Sequence, residues 1–277
     1  MVSIVSDTST LYSPAEAKAE GFRVSPLSVT IAGETYKEYV DMDSARFVSI
    51  IKQGNIPTSS QPSVGDVSAV YEELKGEPIL NIAMADGLSG TYQSAVTAAN
   101  LCEGADIQVV NSRTLCGPHR YMVETAVALA KQGLSREAIM ERIQPMIDTS
   151  KSYLLPSDFV YLRRGGRLSP LVSYVGQLAK LVPVMTLTED CKQLTSAGIK
   201  RGFKQAVEQV IKLLQPDNLD SKWRIYISHA ENTTLAEQAR ELVSKAFPDA
   251  EVQVVKLSCA FCTQGGPDCV AIQTVLL

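Results

Sequence analysis

The sequence predicts an α/β protein made of two α/β units. Three observations carry this. Short apolar runs alternate with helical segments through the first half of the chain. A second alternation of helix and strand follows Pro156. The 277 residues suffice for one or two domains, with two favoured. Alternating strands and helices point to a parallel sheet with helices on both faces. Ligands of such sheets bind beyond the carboxyl ends of the strands.

Residues 2–5 are an apolar strand that ends in the polar turn Ser6-Asp7-Thr8-Ser9. Ser13, Pro14 and Glu16 then suit the N-cap, first position and capping-box position of a helix. Residues 24–31 and 35–40 are expected strands, joined at Ala32-Gly33 as a hairpin. Helices are expected over 43–52, with Phe47, Ile50 and Ile51 on one face, and over 64–74, where Val67, Val70, Tyr71 and Leu74 recur at helical spacing. Buried strands are expected at 79–84 and 107–110, and helices at 90–101 and 121–131. Residues 168–187 are expected to form a buried helix and then a strand. Beyond them come a helix at 203–214, a strand at 225–228, a helix at 234–246 and strands at 252–255 and 270–275. The expected boundary therefore divides the chain into 1–155 and 156–277.

Composition excludes several classes. The chain is 45% hydrophobic and 20% charged, as in ordinary globular proteins. A net charge of −4 gives no electrostatic footprint for nucleic acid. The N-terminus lacks the basic and apolar regions of a signal peptide. The least polar stretch, 168–187, holds Lys180, Gln177 and two prolines, too polar for an integral membrane segment. A cytoplasmic location is then the default expectation, with the six cysteines present as thiols.

Two hydroxyl-rich turns are the candidate site. Thr58-Ser59-Ser60-Gln61-Pro62-Ser63 precedes one expected helix and Gly87-Leu88-Ser89-Gly90-Thr91-Tyr92 opens another. Helix N-termini present unpaired N–H groups and partial positive charge. Two of them carrying Ser and Thr hydroxyls would suit one small anion, a carboxylate or a phosphate. The alternative is plain helix capping, the commonest use of such residues.

Other chemistry is less well supported. A hydrolase elbow needs Gly two positions either side of its Ser, and Thr91 fills the second. The only histidines, His119 and His229, lie in no recognisable triad setting, and no Walker-type phosphate loop occurs. Cys259, Cys262 and Cys269 cluster without a fourth ligand, so no metal is expected. Arg163, Arg164 and Arg167 crowd beside two glycines, as a solvated turn or as a phosphate or partner contact.

These segments, in this order, resemble the DegV family of bacterial lipid-binding proteins. Ser6-Asp7-Thr8-Ser9 resembles its N-terminal Ser-Asp-Ser-Ser turn, and Pro26-Leu27-Ser28-Val29 its Pro-Leu strand. Ser59-Ser60-Gln61-Pro62-Ser63 is similar to its Thr-Ser-Gln-Pro-Ser signature. Leu88-Ser89-Gly90-Thr91-Tyr92-Gln93-Ser94-Ala95 fits its pattern throughout. Asn111-Ser112 resembles its Asp-Ser turn, and residues 161–169 its Tyr-Leu-x-x-Gly-Gly-Arg-Ile/Leu-Ser segment.

The resemblance implies two α/β domains with a long-chain fatty acid buried near their junction and no other cofactor. It implies that the carboxylate is held by Ser59 and Ser89, with Ser60, Gly90 and Thr91 beside them. It implies a carrier, not itself an enzyme, that presents its lipid to a separate fatty acid kinase which makes the acyl phosphate. Arg167, Arg201 and Cys262 would then face that partner or support the head group. Ser59 stands where the family has Thr, Asn111 where it has Asp, and Cys262 where it has His. Two other readings stay open: an enzyme acting on small acyl or phosphorylated substrates through Cys262 or Ser89, and a lipid sensor without a kinase.

Overall fold

The computed structural model describes residues 1–170 and 181–277. Strand β1 (Ser3–Asp7) leads into a 3₁₀ turn, Thr8–Thr10, and helix α1 (Pro14–Glu20). Ser13 caps α1, and Glu16 completes the capping box as its spacing predicts. Next come β2 (Arg23–Ser25), β3 (Ser28–Ile31) and β4 (Glu34–Lys37). The expected strand 24–31 is thus two strands that belong to different sheets. Pro26, which has no N–H for a ladder, stands between them. Ala32 and Gly33, with φ of 53° and 84°, form the expected hairpin turn.

Helix α2 (Ser44–Lys52) precedes β5 (Thr58–Ser60) and α3 (Val64–Glu73). Then follow β6 (Ile79–Ala83), α4 (Thr91–Leu101), β7 (Ile107–Asn111), α5 (Cys116–Lys131) and α6 (Arg136–Thr149). Helix α5 begins earlier than the apolar spacing suggests, because Pro118 is tolerated in a first turn. The second half holds β8 (Lys151–Leu155), α7 (Phe159–Gly165), β9 (Leu181–Leu187), β10 (Leu194–Arg201) and α8 (Phe203–Leu214). It ends with β11 (Trp223–His229), α9 (Thr233–Ala246), β12 (Glu251–Lys256), α10 (Cys259–Gly265) and β13 (Val270–Leu276). Of the expected helix and strand in 168–187, the strand is β9. Residues 171–180, with Val172, Tyr174, Val175 and Leu178, lie outside the described residues.

The strands form three sheets. A parallel sheet has the order β2-β1-β6-β7, as the alternation in the first half requires. A mixed sheet has the order β10-β9-β8-β13-β11-β12, in which only β11 and β12 pair in parallel. A small antiparallel sheet has the order β4-β3-β5. Although β8 precedes Pro156, it pairs with β13 and β9. The chain therefore changes sheets between α6 and β8, before the proline.

The α5–α6 layer is shared. One apolar cluster joins Ile4, Leu80 and Ile82 of the parallel sheet through Met122, Ala126 and Ile143 to Tyr226 and Val275 of the mixed sheet. Helices α3 and α4 cover the outer face of the parallel sheet, and α8 and α9 that of the mixed sheet. The small sheet packs with α2 and α10 around Phe47, Ile51, Cys259 and Cys262. That cluster includes Met84, just past the carboxyl end of β6, so the small sheet caps the end at which such folds bind ligands.

Candidate functional site

A cavity of about 250 Å³ opens where β5, the loop after β6, α10 and the mixed sheet meet. Its floor is one face of the mixed sheet. Leu194 opposes Leu187, Ala271 opposes Leu154 and Gln273 opposes Ser152, and all six line the space. Alternate residues of a strand share a face, which is why 152 and 154, and 271 and 273, appear together. Leu27, Met84, Leu88, Leu257 and Phe261 supply apolar walls. Ser59, Ser60, Gln61, Ser89, Arg167 and Gln264 bring polar groups to the same space.

These polar groups are linked in a ring. Gln264 of α10 donates from Nε2 to Ser59 Oγ at 3.2 Å. The Gln264 side chain lies directly against Gly165 of α7, where a Cβ would collide with its Oε1. Just after α7, Arg167 donates from Nε to the Leu88 carbonyl at 3.0 Å and from its guanidinium to the Gly165 carbonyl. Leu88 leads to Ser89 and Gly90, and Gly90 packs on Gln61 so closely that a Cβ there would also collide. Gln61 donates to Ser94 Oγ of α4 at 3.1 Å, and it closes the ring one residue beyond β5. At both glycines the close neighbour is the end of a glutamine side chain, and neither glycine has positive φ.

The two hydroxyl turns are not equivalent. At the first, the helix begins at Val64 as expected, but Thr58–Ser60 is strand β5, paired to β3 through Ser59↔Val29, so Ser59 lies in a strand and not in a cap. The cap of α3 is Ser63, whose side chain accepts the Asp66 amide. The first turn thus meets its helix only at its last residue, Ser63, whereas Ser89 of the second turn lies within two residues of the start of α4. There Ser89 Oγ meets Thr91 Oγ1 at 2.8 Å and accepts the Thr91 amide at 3.3 Å. Gly90, the residue before α4, makes no side-chain cap bond.

The structure therefore brings Ser59, Ser60, Ser89 and Arg167 to one cavity, with Gly90 and Thr91 immediately behind Ser89. It does not bring Arg201 or Cys262 there. Arg201 is exposed at the last ladder pair of β10. Cys262 is fully buried in the cluster around α10, where burial pushes its thiol far above the ordinary range. Cys116, by contrast, lines the cavity, and its thiol is also pushed up by burial. Neither histidine lines the space.

The model of the DegV family, described as one of uncharacterised proteins, matches residues 1–276. The chain belongs to the DegV family. It is 30% identical to Protein DegV of Bacillus subtilis strain 168 over 256 residues, which is 90% of each chain. A DegV family protein from Thermus thermophilus, described as fatty acid binding, superposes with a TM-score of 0.88 at 26% identity, covering 100% of this chain and 99% of that one. DegV of B. subtilis, described as a fatty acid binding protein, superposes with a TM-score of 0.87 at 27% identity over 100% and 99%.

Within this DegV fold, His119, which the sequence placed in no recognisable triad setting, has a structural place. It is fully buried and bonded to two serines. Its Nδ1 lies 2.7 Å from Ser9 Oγ, and its Nε2 lies 2.9 Å from the Ile82 carbonyl and 3.1 Å from Ser6 Oγ. The carbonyl can only accept, so Nε2 carries the proton and Nδ1 accepts from Ser9. Burial lowers the pKa of His119, which favours the neutral ring. The pair ties β1 to α5 with no access to the cavity. Gln61 and Gln264 are the site residues that residue-type reasoning passed over. Amides carry no chemical signal in sequence, and only their neighbouring Ser, Gly and Phe marked the segments.

Among the described residues, no helix is long and apolar enough to cross a membrane, and no group of three or more His, Cys, Asp or Glu could hold a metal ion.

Proposed function

We propose that the cavity takes the acyl chain of a long-chain fatty acid and that Ser59 and Ser89 hold its carboxylate. The observation that carries this is the ring of hydroxyl and amide groups set against a mainly apolar space. Each methylene removed from water contributes about 0.8 kcal/mol, so affinity comes from the chain. A carboxylate that leaves water needs hydrogen-bond donors or it takes up a proton. The Ser59 and Ser89 hydroxyls, the amides at the start of α4 and the Arg167 guanidinium are the donors within this ring. Charge-assisted bonds of this type contribute about 1.5–3 kcal/mol each.

The relatives described as fatty acid binding support this reading for the present chain. A carrier role fits better than a nucleophilic one, because Ser89 bonds Thr91 and no histidine reaches it. The lipid would be presented to a separate kinase, with exposed Arg163 and Arg164 on α7 beside the ring as the partner face.

The test is native mass spectrometry of freshly purified protein, followed by organic extraction. A bound fatty acid is expected on the wild type, and occupancy is expected to fall at least tenfold in Ser89→Ala while the thermal midpoint stays close to that of the wild type. Equal occupancy in the two proteins removes the carboxylate assignment. No extractable lipid, and none taken up on incubation with palmitic or stearic acid, removes the whole reading.

A further inference from the structure

The cavity floor contains one polar pair that the head-group ring does not use. Ser152 of β8 and Gln273 of β13 face each other across the antiparallel ladder, two residues beyond Leu154 and Ala271. All four line the cavity. Two residues along a strand is a displacement of about 7 Å. Leu154 and Gly265 of α10 are in contact range at the ring side of the floor. The Ser152–Gln273 pair lies one step further from it, toward the start of α5.

The orientation of the Gln273 amide is fixed by backbone. The Leu115 carbonyl can only accept, and it sits 2.9 Å from Nε2. The Gly117 amide can only donate, and it sits 3.4 Å from Oε1. Nε2 therefore also donates to Ser152 Oγ, at 2.8 Å. Ser152 is thereby an acceptor, and its own proton meets no acceptor among the described residues. The one bond to Gln273 Oε1 is long, so that oxygen keeps acceptor capacity. The pair offers one free donor and one under-used acceptor inside an apolar space. Unmet hydrogen-bonding capacity of this kind disfavours a bare methylene and favours a hydroxyl, which can accept from Ser152 and donate to Gln273.

Building on the lipid reading, we propose that Ser152 and Gln273 form a specificity subsite for an acyl chain that carries a hydroxyl group along its length. The ligand class is a long-chain hydroxy fatty acid. The carboxylate stays at the Ser59–Ser89 ring and the second oxygen meets the β8–β13 pair.

The experiment is competition between stearic acid and a set of hydroxystearic acids with the hydroxyl at successive positions, read by native mass spectrometry on wild type and on Ser152→Ala. Wild type is expected to prefer one position over stearic acid by about three- to tenfold, the yield of one hydrogen bond. Ser152→Ala is expected to lose that preference while still binding stearic acid. Two results overturn the proposal: no hydroxyl position exceeding stearic acid in wild type, or an unchanged preference in Ser152→Ala. The wild-type profile needs no variant, so a poorly folded mutant does not shield the idea. Failure of every acid to bind, stearic acid included, is a different outcome and refutes the underlying lipid assignment.

Discussion

Glu38 should make the fold less stable as the pH rises toward neutrality. It follows β4, is fully buried, and bonds no cation among the described residues. The Thr8 hydroxyl meets its Oε1, and the Ala260 amide donates to Oε2 at 2.9 Å. Burial dominates over these two bonds and pushes the carboxyl from its ordinary 4.5 up to about 7, with nearby Asp7 adding to the rise. Between those two values the native state holds a proton that the unfolded state has released. The stabilisation is complete below about pH 4.5 and is lost as the pH climbs through about 7. At about 1.4 kcal/mol per unit of pH, the loss is about 3 kcal/mol. Glu38→Gln keeps an acceptor for the Ala260 amide and cannot ionise. Urea unfolding of both proteins across this window isolates the effect, since other carboxylates cancel in the difference. The variant should gain on the wild type by about 3 kcal/mol from the acid to the alkaline end. Parallel profiles would show that Glu38 is not held neutral, and the argument would fail.

Gly90→Ala should lower the urea midpoint by the equivalent of about 1–3 kcal/mol, because the new methyl meets the Gln61 side chain. Gly90→Ala with Gln61→Ala should recover most of it, and no recovery would place the strain elsewhere. Ser9→Ala should cost about 1–3 kcal/mol by leaving His119 Nδ1 buried without its donor, while lipid occupancy by native mass spectrometry stays unchanged. Lost occupancy would instead attach the Ser9–His119 pair to the site. Arg167→Ala should weaken lipid retention, because the guanidinium holds the loop carrying Ser89. Full retention would leave Arg167 only the partner-facing one of the two roles that the sequence resemblance implied.

The parallel sheet was legible because its central strands are apolar runs bounded by turns, and local pattern suffices for those; β7, at the sheet edge, is only partly buried where a buried strand was expected. Ile79–Ala83, buried at every position, is the clearest case. The small sheet was half legible. Ala32-Gly33 announced its hairpin, but β5 is three polar residues, Thr58–Ser60, whose strand character comes only from pairing with β3. The capping signal in the same segment belongs to its last residue, since Ser63, three residues past the strand, caps α3. Cys262 was misplaced for a similar reason. Its alignment neighbour Gln264 does reach the ring, but in α10 a shift of two residues turns a side chain to another face, and Cys262 points into the core.

The ring draws on β5, the loop after β6, the turn after α7, and α10. Its members are thus spread from Ser59 to Gln264 and from the small sheet to the flank of the mixed sheet. No single segment can present it. Any anion that bonds both Ser59 and Ser89 therefore favours the arrangement in which all four pieces are docked. A ligand that binds only this arrangement stabilises it by RT ln(1 + [L]/Kd), about 2.7 kcal/mol at a hundredfold excess over Kd. The same linkage makes release require more than weakening one bond: loosening the Arg167–Leu88 contact or sliding Gln264 off Gly165 would disturb Ser89 and Ser59 respectively. Exposed Arg163 and Arg164 sit on α7, beside Gly165 and shortly before Arg167. A partner that grips α7 would act on both serines through the glycine and arginine next to them, without entering the cavity.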